Sequence, residues 1–169
     1  MKRNFRVFFS FLLFSAVAAA QEEGLKISVQ FDDPDRIATN IRKECDLPKH
    51  QAVLLIEELK QVGVKAELIE TPKAPVPGRY LMVDIKDAVS MGNAFLGHKK
   101  FVLTSAKLFL NGQEVAKSSF NRNSMGGAFA GFKGSCMVLD RCVETISKDM
   151  AGWVKMNLGL LPEAAKKVE

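Results

Sequence analysis

The stretch of sequence that decides the fold is KFVLTSAKLFLNGQEVAKSSFNR, residues 100–122. Apolar residues recur with the period of an extended chain before the dipeptide Asn111-Gly112, and the same pattern resumes at Val115 and continues to Phe120. Asn-Gly between two such runs favours a tight turn in which both central residues have positive φ. Residues 100–122 therefore predict a β-hairpin.

Upstream of the hairpin, three further segments predict strands. Residues 24–31 and 79–88 alternate apolar and polar side chains, which is typical of half-buried strands, and residues 64–69 can form a shorter one. The proline-rich residues 71–78 (TPKAPVPG) are interpreted as a surface loop. A boundary between two domains at this loop is the alternative.

Two helices are predicted between the first two strands. Asp33 and Pro34 mark the start of the first, because an Asp side chain accepts free amide hydrogens and proline at the first helical position loses no hydrogen bond. The stripe of this helix places Cys45 on its buried face, and the helix ends before Pro48. The second runs from about residue 49 to 62 and ends at Gly63.

A long terminal helix is predicted from about residue 137 to 158. Its apolar residues follow the i, i+3, i+4, i+7 spacing: Leu139, Cys142, Val143, Ile146, Met150, Trp153 and Val154. The order strand, helix pair, strand, strand, hairpin, helix predicts an α/β (α+β) fold, with a single mixed sheet of about five strands and helices packed on one face.

The first 20 residues have the layout of a cleavable signal peptide. A cationic start is followed by an apolar run over residues 7–17 and by three alanines, and an uncleaved anchor is the alternative. We expect a single domain over residues 21–162, a frayed tail over residues 163–169 and a periplasmic protein with no transmembrane anchor after signal removal.

The formal charge of +5 comes mostly from this segment. Removing its cations Lys2, Arg3 and Arg6 from the 24 basic residues leaves 21 against 19 acidic ones. An excess of two charges is too small to form the broad cationic face that nucleic-acid binding needs. We therefore expect no nucleic acid among the partners.

The three cysteines are informative in an oxidising compartment. Cys136 and Cys142 stand six residues apart around the start of the terminal helix, and a bend there would let them form a local disulfide worth about 2 kcal/mol. A bridge from Cys45 to one of these two cysteines, or no bridge at all, is the alternative. The five residues between Cys136 and Cys142 do not match a CxxC redox motif, and Cys45 with His50 lacks an orienting group for a nucleophilic thiol.

A glycine-rich segment precedes the terminal helix. It does not match the phosphate-binding GxxxxGK[ST] pattern, because Lys133 is followed by Gly134. One interpretation is that its phenylalanines fill the core, and the other is that an exposed apolar loop contacts a partner. The candidate partner-binding residues are Gly126, Gly127, Phe129, Gly131, Phe132 and Lys133.

No motif in the sequence assigns a reaction. The patterns GxSxG and HExxH and the usual zinc-ligand spacings are absent, and Asp32, Asp33 and Asp35 lack the ligand spacing of a calcium loop. We therefore expect no catalytic residues, no metal and no cofactor, and hence a protein that is not an enzyme.

Residues 92–97 (GNAFLG), 110–115 (LNGQEV) and 126–154 together resemble a family of secreted bacterial proteins of uncharacterised function. That family has a Gly/aromatic loop and Cys-x5-Cys before a C-terminal helix. The order of elements is more loosely similar to the N-terminal domain of TolB and to lipoprotein activators of cell-wall synthases, which contact protein partners. The anchoring cysteine of the lipoproteins is absent here.

The apolar Gly/Phe loop and the absence of a catalytic motif lead to the hypothesis of a non-enzymatic periplasmic binding or accessory protein that contacts an envelope protein through this loop and an exposed sheet edge. The alternative is a small-ligand or lipid carrier with a pocket between the terminal helix and the sheet.

Overall fold

The computed structural model describes residues 24–93, 97–124 and 135–161. The predicted signal peptide and the predicted tail lie outside these ranges, so the domain boundaries stay predictions. The strands are β1 Leu25–Phe31, β2 Ala66–Leu68, β3 Arg79–Asn93, β4 Gly97–Leu110 and β5 Gln113–Ser124. The helices are α1 Thr39–Glu44, α2 Leu47–Gln61 and α3 Ser135–Leu160, with a 3-10 turn at Pro34–Arg36.

The five strands form one mixed sheet in the order β2-β1-β3-β4-β5. β1 runs parallel to both β2 and β3, whereas β3, β4 and β5 follow one another as antiparallel neighbours. The α1–α2 pair connects β1 to β2, as a parallel pair requires a long crossover. The predicted fold class, a single mixed sheet with helices on one face, is confirmed.

The helices cover one face of the sheet, which we call the helix-covered face. On β3 its side chains are Leu81, Val83 and Ile85, all fully buried. They belong to a core that also contains apolar residues from α2, β4 and α3. Because side chains alternate along a strand, the intervening residues point to the opposite face, which we call the second face.

The predicted hairpin and its turn are confirmed. Asn111 and Gly112 have φ of 51° and 81°, as the tight two-residue turn requires. The Asn111 side chain accepts a hydrogen bond from the Gly78 backbone N–H at 2.9 Å, which ties the turn to the end of the 69–78 loop. A Cβ at Gly112 would lie only 2.7 Å from Pro75 Cβ. Glycine is therefore required here by both backbone conformation and space.

We expect Gly112→Ala to lower the free energy of unfolding by about 2 kcal/mol, because alanine resists positive φ and its methyl group would overlap Pro75. Gly152→Ala is the matched control: Gly152 is exposed in α3, and an added Cβ there meets nothing within 4 Å. This substitution should raise stability by about 1 kcal/mol. Urea unfolding measures both, and equal effects would contradict the role of the turn.

The predicted first helix is interrupted. The Asp33 side chain accepts a hydrogen bond from the Asp35 N–H at 3.0 Å, as expected of a cap, but only the 3-10 turn follows. Ile37 has ψ of 128°, so the chain becomes extended before α1 starts at Thr39. Cys45 then caps the end of α1 and is buried, as its position in the sequence pattern indicated.

Three other elements differ from the prediction in length. α2 begins at Leu47, so Pro48 lies in its first turn, where proline is tolerated, and Gly63 follows the helix with φ of 84°. β3 continues to Asn93 past a bulge after Ile85. α3 begins two residues earlier and ends two residues later than predicted.

Candidate interaction surface

The disulfide joins Cys45 to Cys136, with a Cα–Cα distance of 5.0 Å. The preferred prediction, a Cys136–Cys142 bridge, is wrong, and the alternative that used Cys45 is correct. Because α3 already begins at Ser135, both Cys136 and Cys142 are helical, and a rise of 1.5 Å per residue separates them by about 9 Å along the axis. That distance exceeds the roughly 7 Å that a disulfide spans between Cα atoms.

Cys142 is a free, buried thiol on the helix-covered side of the sheet. Burial raises the pKa of Cys142, and the positive charge of Arg122 opposes this rise. A raised pKa keeps the sulfur in the less nucleophilic thiol form at neutral pH. Within the structure Cys142 acts as a small apolar side chain of the core.

The six candidate partner-binding residues, Gly126, Gly127, Phe129, Gly131, Phe132 and Lys133, lie outside the described residues. Their choice as contacts, and the alternative that Phe129 and Phe132 fill the core, both stay predictions. The elements on either side are described: β5 ends at Ser124 and α3 begins at Ser135.

His50, which the sequence placed near Cys45, interacts with α3 instead. Its Nδ1 lies 2.9 Å from Asp140 Oδ1, and this contact links α2 to α3. The Cys45 sulfur is bonded to Cys136, so it is not a thiol in this structure. In the described part of the chain, no three His, Cys, Asp or Glu side chains come together as a metal site.

The layer in which the carrier hypothesis placed its pocket is filled by side chains. The α3 residues that face the sheet are fully buried: Leu139, Val143, Ile146, Met150 and Val154. Trp153 lies at the border of this layer, where its ring meets Phe120 of β5 edge-on at 6.0 Å. This supports its interpretation as a packing residue.

The second face carries a polar network near its centre. Ser28 Oγ and the Tyr80 hydroxyl are 2.5 Å apart, and Gln30 Nε2 donates to Asp84 Oδ1 at 3.0 Å. Burial raises the pKa of Tyr80; its hydrogen bond to Ser28 opposes this and the nearby Asp84 carboxylate adds to it. Ser28, Tyr80 and Asp84 are at most 5% exposed. This network gives the centre of the second face polar rather than apolar packing.

β5 forms one lateral edge of the sheet. It pairs with β4 along its inner side, and no other strand of the described ranges pairs with its outer side. An edge strand of 12 residues presents a row of backbone N–H and C=O groups on which another strand can be added. The opposite edge is β2, which has only three residues. β5 is therefore the longer lateral edge for such an addition.

The second face of the sheet also includes side chains of β5. By alternation from Phe120, which faces Trp153, the side chains of β5 on the second face include those of Lys117, Ser119, Asn121 and Asn123. Past the bulge, the pairing with Phe109 places Glu114 on this face as well, and all five side chains are exposed. The sequence pattern predicts this strand but not its place at the edge of the described sheet. Only the order of strands in the sheet contains that information.

No protein-family model matches the sequence, and neither does any curated protein. Among solved structures, protein XCC0632 of Xanthomonas campestris, of the DUF330 family model, has a TM-score of 0.59 at 11% identity, over 80% of this chain and 85% of that one. A PelC dodecamer of Paraburkholderia phytofirmans gives 0.50 at 10% identity, over 77% and 86%. Lipoprotein GNA1162 of Neisseria meningitidis gives 0.41 at 12% identity, over 73% and 97%.

At these identities, the similarity to XCC0632 and to PelC shows the fold alone. Resemblance to the family with the Cys-x5-Cys pattern, and to TolB, therefore stays a prediction. Within the described residues, no helix combines the length and the apolar character needed to cross a bilayer.

Proposed function

We propose that this protein is a non-enzymatic accessory protein of the bacterial envelope, located in the periplasm, and that it binds a protein partner along the outer edge of β5. The observation that carries the proposal is the 12-residue edge strand without an outer neighbour in the described part of the chain. A strand added there gains backbone hydrogen bonds without any rearrangement of the sheet.

The architecture around β5 supports this role. α3 packs against the helix-covered face of β5 through the Phe120–Trp153 contact and an ion pair of Arg122 with Asp149. α3 thus supports one face of β5 and β4 pairs with its inner side, so the outer edge of β5 is rigid. A rigid edge reduces the conformational entropy that this chain loses when a partner binds.

The similar folds give a second line of support. PelC, which shares this fold, forms a dodecamer, so that protein uses the architecture for protein–protein contact. The predicted signal peptide supports a location outside the cytoplasm, where an envelope protein is the partner we propose. The predicted Gly/Phe segment begins just after Ser124, and we propose that it extends the contact at the end of β5.

Proline substitutions at Ser118 and Ser119 test the edge. N–H groups of an edge strand point alternately to its neighbour and to solvent, so one of these prolines removes a β4–β5 hydrogen bond and the other removes only an outward N–H. Because both positions are serine, the two variants make the same change of side chain and serve as controls for each other. We expect the outward variant to keep its thermal stability but to reduce partner capture by about tenfold or more.

The measurement is affinity capture from native envelopes with the tagged full chain, followed by mass spectrometry, alongside thermal unfolding of each variant. The inward variant should lose about 1 to 3 kcal/mol of stability, because a ladder bond is left unmade. Capture of the same protein by the wild type and by the outward variant in equal amounts would show that β5 is not the contact.

A further inference from the structure

Two lysines lie side by side next to the β5 edge. Lys107 of β4 and Lys117 of β5 are directly paired in the sheet register. Both point to the second face, because their neighbours Ala106 and Ser118 point to the helix-covered one. Side chains in such a pair start from Cβ atoms about 5 Å apart, and two like charges in this position repel each other.

In the described part of the chain, neither of these two ammonium groups forms an ion pair. The ion pairs of the described residues use other cations: Arg42 with Asp35, His50 with Asp140, Lys86 with Asp32 and Arg122 with Asp149. By register, the nearest carboxylate on the second face is that of Glu114, which lies opposite Phe109 and next to Lys117 along β5 but forms no ion pair with either lysine. The next one, Asp84, accepts the amide of Gln30. Together with Glu114 the two lysines leave a local excess of one positive charge, and the directly paired ammonium groups still repel each other.

From these observations we infer that the strand added to β5 carries an acidic side chain opposite Lys117. This inference rests on the proposed function and specifies the partner. In an extended sheet, the partner residue opposite Lys117 on the second face would come as close to it as Lys107 does on the other side. A carboxylate there neutralises part of the repulsion, whereas a basic residue would add to it.

The remaining side chains of β5 define the rest of the partner strand. On the second face, Ser119, Asn121 and Asn123 favour hydrogen-bonding residues opposite them. On the helix-covered face, the half-buried Phe120 ring favours an apolar residue. The partner strand therefore alternates polar and apolar residues, with an acid among the polar ones.

A lysine on an edge strand ordinarily discourages the addition of further strands. Here the lysines give selectivity, because they oppose neutral or basic strands and accept an acidic one. The lysines thus protect the β5 edge from nonspecific aggregation, while an acidic strand can still bind there.

Two synthetic peptides test the inference: TVTVEVTVT and TVTVKVTVT, which differ only in the central residue. We expect the acidic peptide to bind the full chain about tenfold or more tightly than the basic one in fluorescence anisotropy. Near 0.5 M salt, where the Debye length is about 4 Å, the ratio should approach one. In the variant Lys107→Glu/Lys117→Glu the preference should reverse.

The matched control is Lys49→Glu/Lys60→Glu, which changes the net charge equally on the exposed surface of α2 and should leave the preference unchanged. Equal binding of both peptides, with loss in the outward proline variant, would overturn the acidic preference and leave the β5 contact standing. An acidic preference that survives in the proline variant would instead place the site away from β5 and overturn both proposals.

Absence of binding by either peptide would overturn the inference, while the capture experiment judges the proposed function independently. Sedimentation velocity tests whether a second copy of the chain occupies the β5 edge instead. A concentration-dependent dimer that excludes the acidic peptide would place a second copy of the chain on the edge and overturn the proposal of a separate acidic strand.

Discussion

Loss of the Cys45–Cys136 bridge is expected to lower the free energy of unfolding by about 4 kcal/mol. The disulfide joins residues 91 apart, so it closes a loop that contains α2 and all strands except β1. In the chain-entropy account, the stabilisation grows with the logarithm of loop length and exceeds 4 kcal/mol for a loop of this size. That amount is a large part of the stability of an ordinary domain.

The experiment compares urea unfolding of the oxidised wild type with that of Cys45→Ala/Cys136→Ala. The reduced wild type and the double variant should unfold at about the same urea concentration. Loss of the bridge lowers stability far more than loss of the two sulfur atoms does. Cys142→Ala is the control and should cost only about 1 kcal/mol, since it removes a buried sulfur but no cross-link.

Connectivity itself is checked by a non-reduced tryptic digest. Cleavage after Arg141 separates Cys136 from Cys142, so the bridge should link peptide 44–49 to peptide 134–141. A link between peptides 134–141 and 142–148 would contradict the structure.

Truncation of Leu81 should have an effect of similar size. Leu81 is fully buried on the helix-covered face of β3, the central strand of the sheet. Leu81→Ala removes buried methyl groups and leaves a cavity among neighbours held by β1, β4 and the helices. We expect a loss of about 3 kcal/mol in the free energy of unfolding.

Met82→Ala is the neighbouring control. Met82 follows Leu81 on the same strand but points to the second face, where it is only partly buried. Its truncation should cost about 1 kcal/mol. Urea or thermal unfolding measures both variants; equal costs would mean that the two faces of the sheet are equally covered.

Most of the regular structure could be predicted from the residues themselves. The positive φ of Asn111 and Gly112 and the buried faces of β3 and α3 are consequences of local chemistry and of side-chain period. The interruption after Arg36 is harder to foresee, because the extended conformation of Ile37 reflects its burial in the tertiary core rather than its helix-forming tendency.

The candidate site was only partly predictable. Sequence patterns identified β5 as a strand, but nothing local pairs Lys117 with Lys107 or leaves β5 at the edge. Those two facts follow from strand order and register, which depend on how distant segments pack together.

The sequence alone determined which segments become strands and helices, where the hairpin turns, and that Cys45 is buried, because each depends on residues close together in the chain. Only the tertiary structure decided the partner of Cys45 and the strand that ends the sheet. Both depend on contacts between segments far apart in sequence, such as the start of α3 meeting the end of α1, and no local spacing records such contacts.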